Sequence, residues 1–568
     1  MQPVISAAQT REIDRLTTKR FGIPSLVLME NAAAATARVV AERLTGDLTG
    51  KSVLVLCGRG NNGGDGAATA RLLAHAGAQV ELVLFGKLNE TSGDARINFE
   101  AATSFATEGS AQIEGQASTI GSIKLFECNT DTDWQDLIND KLSPSPDVII
   151  DAMFGTGLTR PLAGLTEEVA RFVNRKRETG DNKTSPGTLI ISIDIPSGLN
   201  SDSAEVIGEA IDADITVTMT APKFANVLPP AANYNGRVIV ADIGSPAELV
   251  QASQSKLFLT EESDARRWLS QTRYQADSYK TTHGHALIVA GSRGFTGAAA
   301  LCANAAMRSG AGLVTVATPA SAQPFVANQV MPEVMTTALA ETDRGAVSDE
   351  AVDYFLRFTE RAGAIAIGPG LSAEDDRTRK FVRAIVERRR ASIVIDADGL
   401  NCLSPWPDDL RGSPEHPIVL TPHPGEMLRL MGTSDKSVLR DRVAAAREFA
   451  VKHQVILLLK GTRSLIASPD GRVFVNPTGN AGLGTAGAGD TLTGIITGFL
   501  AQTSGIRTAQ DREPLNALET TIAALYISGL AGDLAAHELG MRTMVASDIR
   551  EHLSAAIRSL DPQGERPK

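Results

Sequence analysis

Two glycine-rich turns hold most of the chemistry this sequence could do. The first is Gly58-Arg59-Gly60-Asn61-Asn62-Gly63-Gly64-Asp65-Gly66, set between an apolar run and a helix-forming stretch. Glycines let the backbone turn tightly and approach a ligand closely, and free N–H groups at a helix start suit a phosphate. Asn61, Asn62 and Asp65 add donors and acceptors that a structural turn does not need. The second turn is Asn480-Ala481-Gly482-Leu483-Gly484-Thr485-Ala486-Gly487-Ala488-Gly489-Asp490-Thr491, which runs into a long apolar stretch. Amides and helix dipole there form an anion hole, and Asp490 is placed to handle a proton beside a phosphate. An N-cap role would explain Asp490 but not the glycines around it.

Further polar groups stand where apolar runs end. Asp151 precedes Ala152-Met153-Phe154-Gly155-Thr156-Gly157, and Asp194 precedes Ile195-Pro196-Ser197-Gly198. Open α/β sheets gather ligands outside the carboxyl ends of their strands, so Asn62, Asp151 and Ser197 are expected in one crevice. In the second half, Lys460-Gly461-Thr462-Arg463-Ser464 offers cations and donors to phosphates. His423 lies between two prolines, Gly368-Pro369-Gly370 ends another run, and Gly294 to Ala299 opens a helix. Asp396 and Asp398 could order a loop or a magnesium ion. Gly58, Gly60 and Gly63 match GxGxxG, but Leu84-Phe85-Gly86-Lys87 lacks the acid a dinucleotide fold wants there, which disfavours a dehydrogenase. Gly50-Lys51-Ser52 precedes its strand, which rejects a P-loop.

Parallel sheets under helices must position these groups. Strands are expected at 52–57, 79–85, 147–151, 188–194, 215–219 and 237–242, then at 285–290, 312–317, 364–367, 392–396, 417–420 and 454–459. Helices are expected at 7–20, 26–45, 66–76 and 162–177, then at 297–309, 376–390, 438–452, 491–501 and 514–537. Small residues in Met29 to Ala35 suggest close helix packing. Segments 107–146 and 174–187 read as polar surface loops. The halves divide as 1–245, a linker 246–264, 265–555 and a polar tail 556–568.

Composition narrows the class. The 568 residues carry 55 Lys and Arg against 66 Asp and Glu, a net charge of −11, so the chain is not built to coat nucleic acid or an anionic membrane. The four cysteines form no CxxC pair, which fits reduced thiols in the cytoplasm. Charges crowd the first twenty residues, leaving no signal-peptide core, and no apolar run has the roughly 18 residues of a membrane span.

MENAA, GNNGGDG, DAMFGTG and DIPSGL, in that order, resemble the NAD(P)H-hydrate epimerase family over about 1–245. The resemblance implies a Rossmann-like three-layer domain. In it Asn61, Asn62, Gly63, Gly64 and Asp65, with Gly155, Thr156, Gly157, Leu158, Thr159, Arg160 and Pro161, cradle the hydrated nucleotide. It also implies that Asn62, Asp151 and Ser197 hold a potassium ion and that Asp194 faces the reacting ring. GFTGAA, GPG, DADGLN, TPHPGE, KGT and NAGLGTAGAGDTLTG resemble the ADP-dependent NAD(P)H-hydrate dehydratase family, ribokinase-like in fold, over about 265–555. By that resemblance Lys460, Gly461, Thr462, Arg463, Ser464 and Gly489 contact ADP, expected with magnesium, and Ala298, Gly370, His423 and Asp490 contact the hydrate. The expected function is repair of hydrated NADH and NADPH: epimerisation of R and S hydrates, then dehydration of the S hydrate with release of AMP and phosphate. A homo-oligomer is expected. The alternative is a ribokinase-like small-molecule kinase with a non-catalytic nucleotide-binding module.

Overall fold

The computed structural model describes residues 1–108, 121–178, 187–275, 277–509 and 515–561. They form two compact units that divide between Ser255 and Lys256, with Met1 counted in the second.

The first unit is built on a fully parallel sheet. Its strands lie in the order Ser122–Cys128, Gln79–Phe85, Ser52–Cys57, Val148–Ala152, Leu189–Ile193, Ile215–Met219 and Arg237–Ala241. Strand Ser52–Cys57 explains the layering. Val53, Val55 and Cys57 enter one core beneath helices Ser25–Arg43 and Asn61–His75, while Leu54 and Leu56 enter a second core with Trp134, Val169 and Val173. Side chains of a strand alternate faces, so burial on both requires a three-layer sandwich. The strand order reverses between Ser52–Cys57 and Val148–Ala152, which opens a crevice beyond Cys57 and Ala152.

The second unit repeats that logic. Parallel strands Met335–Leu339, Leu313–Pro319, His285–Val289, Ala364–Ile367, Ser392–Ile395, Ile418–Leu420 and Ile456–Leu459 lie in that order, reversing beside His285–Val289. Antiparallel strands Leu465–Ala467 and Val473–Val475 extend the sheet, and Leu257–Leu259 pairs parallel with the latter. Helices Thr296–Arg308, Ala488–Ala509 and Ala517–Leu539 cover one face through a core that includes Ile288, Val316, Ile495, Phe499 and Ile527.

Four expectations change. Segment 107–146 is not one loop: it carries the edge strand Ser122–Cys128 and helix Asp131–Asp136, whose Trp134 is fully buried. Charged, outward residues of an edge strand had hidden its period. The stretch 246–264 expected as a linker contains helix Ala247–Gln251 and strand Leu257–Leu259. The tail expected from 556 begins inside helix Ala546–Leu560. Residues 109–120 of the first expected loop, 179–186 of the second and 562–568 of the tail lie outside the described residues, and 174–178 of the second belong to helix Leu165–Glu178 instead.

Candidate active sites

In the first unit, the glycine turn closes directly over the crevice. A Cβ on Gly58 would strike the backbone oxygen of Met153, and one on Gly63 the oxygen of Gly58, so the turn fits only without side chains. Helix Asn61–His75 starts there. Met29, on helix Ser25–Arg43, packs behind it, its Sδ 2.8 Å from where a Gly64 Cβ would stand. Ala32 and Ala33 of that helix are buried.

Three motifs meet at Gly155. A Cβ there would lie 3.2 Å from Asn62 Oδ1 and 3.3 Å from Asp194 Oδ2. Asp194 stands at φ 68°, the left-handed region, which a non-glycine residue occupies only when its surroundings hold it. They do: Lys223 Nζ donates to Asp194 Oδ1 at 2.6 Å, and Thr218 Oγ1 donates at 3.2 Å. Lys223 is wholly enclosed and also donates to Thr218 Oγ1 and the Met219 carbonyl. Around this pair, Asp65 is pushed well above the usual carboxylate range by burial, then by Asp194 and Asp14. Asp14 is pushed up to about 6, chiefly by burial.

Asp151 is buried and saturated. It accepts from Ser192 Oγ at 2.9 Å, Ser197 N at 2.8 Å, Ser197 Oγ at 2.5 Å and Met153 N at 3.3 Å. Asn62 Nδ2 is buried with no partner. An amide, a carboxylate and a hydroxyl make an oxygen donor set for a hard cation, not for a thiophilic metal. A cation bound by Asp151 would displace one of its present donors. Thr156, on the same loop, accepts from Ser201 Oγ at 3.4 Å through its carbonyl, whereas Gly157, Thr159, Arg160 and Pro161 are exposed.

In the second unit, Asp396 ends strand Ser392–Ile395 and is buried. Its Oδ1 accepts from Lys460 Nζ at 2.7 Å and its Oδ2 from Thr493 Oγ1 at 2.7 Å. Gly489 lies against this pair, a Cβ there standing 3.2 Å from Lys460 Nζ and 3.6 Å from Asp396 Oδ2. Asp490 follows in the first turn of helix Ala488–Ala509. Burial, then the charge of Asp396, pushes its carboxyl up to about 7, while Lys460 pulls the other way. Asp398 instead accepts from Ser372 N at 2.9 Å and Asn401 Nδ2 at 3.2 Å, so it orders a loop.

The remaining predicted residues take separate positions. Gly370, at φ 64°, packs on the Phe295–Ala298 turn: a Cβ would sit 3.0 Å from Ala298 Cβ. His423 caps helix Pro424–Leu430, its Nδ1 accepting from Gly425 N at 3.0 Å. In the neutral ring that leaves Nε2 as the N–H donor. The Lys460–Ser464 turn is clamped by Arg442, which donates to the carbonyl of Thr462 at 2.9 Å. Arg463 Nη1 donates to the Pro477 carbonyl at 2.9 Å, and Ser464 Oγ to the Gly461 carbonyl at 3.1 Å. No group of three or more His, Cys, Asp or Glu fit for a metal ion occurs among the described residues.

Two family models match the chain. Residues 25–225 match the family model described as YjeF-related protein N-terminus, and residues 286–555 match the one described as NAD(P)H-hydrate dehydratase. The chain is 37% identical to the bifunctional NAD(P)H-hydrate repair enzyme Nnr of Moorella thermoacetica, across 99% of this chain and 98% of that protein. It is 35% identical to that of Salinibacter ruber, across 100% of this chain and 98% of that protein. The chain belongs to the bifunctional NAD(P)H-hydrate repair enzyme family. Among solved structures it is similar to the ADP/ATP-dependent NAD(P)H-hydrate dehydratase from Bacillus subtilis co-crystallized with ATP/Mg2+, with 29% identity, 54% of this chain and 99% of that chain covered, and a TM-score of 0.44.

Within this repair-enzyme chain, sequence reading missed Lys223, Thr493 and Asp533. Lys223 did carry a signal, since it follows strand Ile215–Met219 at one more carboxyl end. Thr493 stands one turn beyond Asp490. Asp533 accepts from Gly479 N and Asn480 Nδ2, both at 2.9 Å, and so anchors the second glycine turn from helix Ala517–Leu539. Nothing local in the sequence marks it.

Proposed function

We propose that the first unit interconverts the R and S hydrates of NADH and NADPH, and that the second dehydrates the S hydrate at the expense of ADP. The observation that carries this reading is the Lys–Asp pair at each centre, set beside a glycine turn. Asp194, positioned by Lys223, passes a proton to the ring hydroxyl as the ring nitrogen lone pair expels it as water, and takes a proton back when water re-adds to either face of the resulting iminium carbon. Asn61 to Asp65 and Gly155 to Pro161 hold the nucleotide. Asn62, Asp151 and Ser197 would hold a potassium ion, which supplies positive charge beside it.

In the second unit, Ala298, Gly370 and His423 orient the hydrate, and Lys460 to Ser464 with Gly489 hold ADP, taken with magnesium. The ring hydroxyl oxygen attacks the β-phosphorus as Asp490 accepts its proton, and the bond to AMP breaks. The ring nitrogen lone pair then expels phosphate, and loss of a proton from the neighbouring carbon restores the dihydropyridine. Lys460 and the Gly489 turn stabilise phosphoryl charge. All four cysteines are free and buried, which suits the cytoplasm, and no helix among the described residues is long and apolar enough to cross a membrane.

The test is to incubate the protein with mixed-epimer NADH hydrate and ADP, following dihydropyridine absorbance and nucleotide products. Full recovery with one AMP and one phosphate per NADH is expected. Recovery that stops at the S fraction would remove the epimerase assignment. A phosphorylated product without AMP would make the second unit a kinase.

A further inference from the structure

Beside the proposed dehydration centre runs an open groove of about 680 Å³, lined in part by Arg379, Arg429, Ser404, Thr433 and Ser434. None of the roles above uses these residues. Both arginines are anchored by neutral acceptors. Arg379 Nη1 donates to the carbonyls of Asn401 at 3.2 Å and Cys402 at 3.5 Å, and Arg429 Nε donates to Asn401 Oδ1 at 2.8 Å. Neither guanidinium is in an ion pair among the described residues. The carboxylates that also line the groove bond other groups: Asp398 accepts from Ser372 N and Asn401 Nδ2, and Glu374 pairs with Arg344 at 3.4 Å. Two guanidiniums without a carboxylate partner favour a phosphate, which their planar forks match in geometry.

The groove adjoins the hydrate-binding loops. Ser372, held by Asp398, lies two residues past Gly370. Gly425 lies two residues past His423, and a Cβ on it would stand 3.9 Å from Arg429 Nη1. A cavity of this size is within the range for small-molecule sites.

We propose that the groove seats the part of the hydrated dinucleotide distal to the reacting ring, with Arg429 and Arg379 on one of its phosphates. This rests on the dehydratase reading. The phosphate has two possible sources: the pyrophosphate common to both hydrates, or the ribose phosphate found only on the NADPH hydrate.

The experiment compares Arg429→Gln and Arg379→Gln with the wild-type full chain, varying S NADH hydrate, S NADPH hydrate and ADP in turn. The hydrate KM is expected to rise about tenfold, as for loss of one charge-assisted bond, with kcat within about twofold and the ADP KM unchanged. An equal rise for both hydrates identifies the pyrophosphate; a rise confined to the NADPH hydrate identifies the ribose phosphate. Arg429→Lys should recover part of the loss. Unchanged hydrate KM in Arg429→Gln, or a rise in the ADP KM instead, overturns the proposal. Arg429 is exposed, so its variant decides if Arg379→Gln fails to fold. Should the wild type dehydrate neither hydrate, the dehydratase reading fails separately. Equilibrium dialysis of NADPH against wild type and Arg429→Gln then tests the groove, with equal affinity overturning it.

Discussion

The two centres use the same pair of charges in opposite orders. In the first unit Lys223 is enclosed, at 0% side-chain exposure, and Asp194 is the outer member at 14%. In the second unit Asp396 is enclosed at 1%, and Lys460 is the outer member at 21%. The enclosed partner fixes the outer one, and in the function proposed above the outer one meets the ligand. An outward carboxylate suits proton movement at an uncharged hydrated ring, whereas an outward ammonium suits phosphoryl oxygens. Both units have parallel strands whose order reverses, beside Ser52–Cys57 in the first and beside His285–Val289 in the second. Their difference therefore lies in which charge is buried, not in the frame that holds it.

The sharpest break between the two centres should come from Asp490→Asn. Dehydration is expected to fall about 10²- to 10⁴-fold while ADP still binds and epimer equilibration continues. Near-normal turnover would remove Asp490 from the chemistry. Asp194→Ala should do the converse, ending equilibration and sparing dehydration of pure S hydrate. Next in size are the lysines. Lys460→Met leaves Asp396, enclosed at 1%, without its counter-charge and should cost the second unit about 3–5 kcal/mol, read by urea denaturation. Lys223→Met should cost the first unit less, because the carboxylate it leaves, Asp194, is the outer member at 14% exposure and keeps Thr218 Oγ1. Lys460→Met should also abolish ADP-dependent turnover. Equal losses of stability would mean that the order of burial has no energetic consequence.

These partners also mark where sequence stops being legible. The glycine turns, the acids at strand ends and most strands could be read because they are local: apolar runs of four to seven residues ending in polar motifs. Strands Leu465–Ala467 and Val473–Val475 are three residues each, too short for a period, and Met335–Leu339 carries two threonines. Asp490 was singled out by its turn, but the pair it depends on joins Asp396 to Lys460 across 64 positions. The Lys223–Asp194 pair spans 29. Neither spacing follows a helix or strand period. His423 could be noticed between its prolines, yet its capping bond to Gly425 appears only once helix Pro424–Leu430 exists.

The pH response should separate the centres further. Asp490 is raised from 3.8 to about 7, first by burial and then by Asp396. Its carboxyl must be ionised to accept the hydroxyl proton, so dehydration of S hydrate should rise with pH through about 7. Stability runs the other way. The folded state holds this proton more tightly than the unfolded chain, so the second unit loses stability as pH rises between those two values. The stabilisation gained by Asp490→Asn should therefore grow across that window and level off above it. Urea midpoints of both proteins at about pH 5 and about pH 8 check the sign. A gain that shrinks with pH would show that Asp490 is not held protonated by its surroundings.

The smallest test concerns space rather than charge. A Cβ added at Gly155 would stand 3.2 Å from Asn62 and 3.3 Å from Asp194, and one added at Gly489 would stand 3.2 Å from Lys460. Neither glycine has a positive φ, so alanine brings no backbone strain at either position. Gly489 lies in helix Ala488–Ala509, where alanine is favoured over glycine by up to about 1 kcal/mol. Gly155 lies in a loop and gains no such term. Gly489→Ala should thus leave the second unit as stable or slightly more stable while raising the ADP KM several-fold, because the methyl stands beside the outer ammonium. Gly155→Ala should leave stability near wild type and raise the KM for epimerisation, because its methyl stands beside the outer carboxylate. If Gly489→Ala raised the hydrate KM and left that for ADP alone, the outward ammonium would be facing the ring instead of the phosphates, and the contrast between the two centres would collapse.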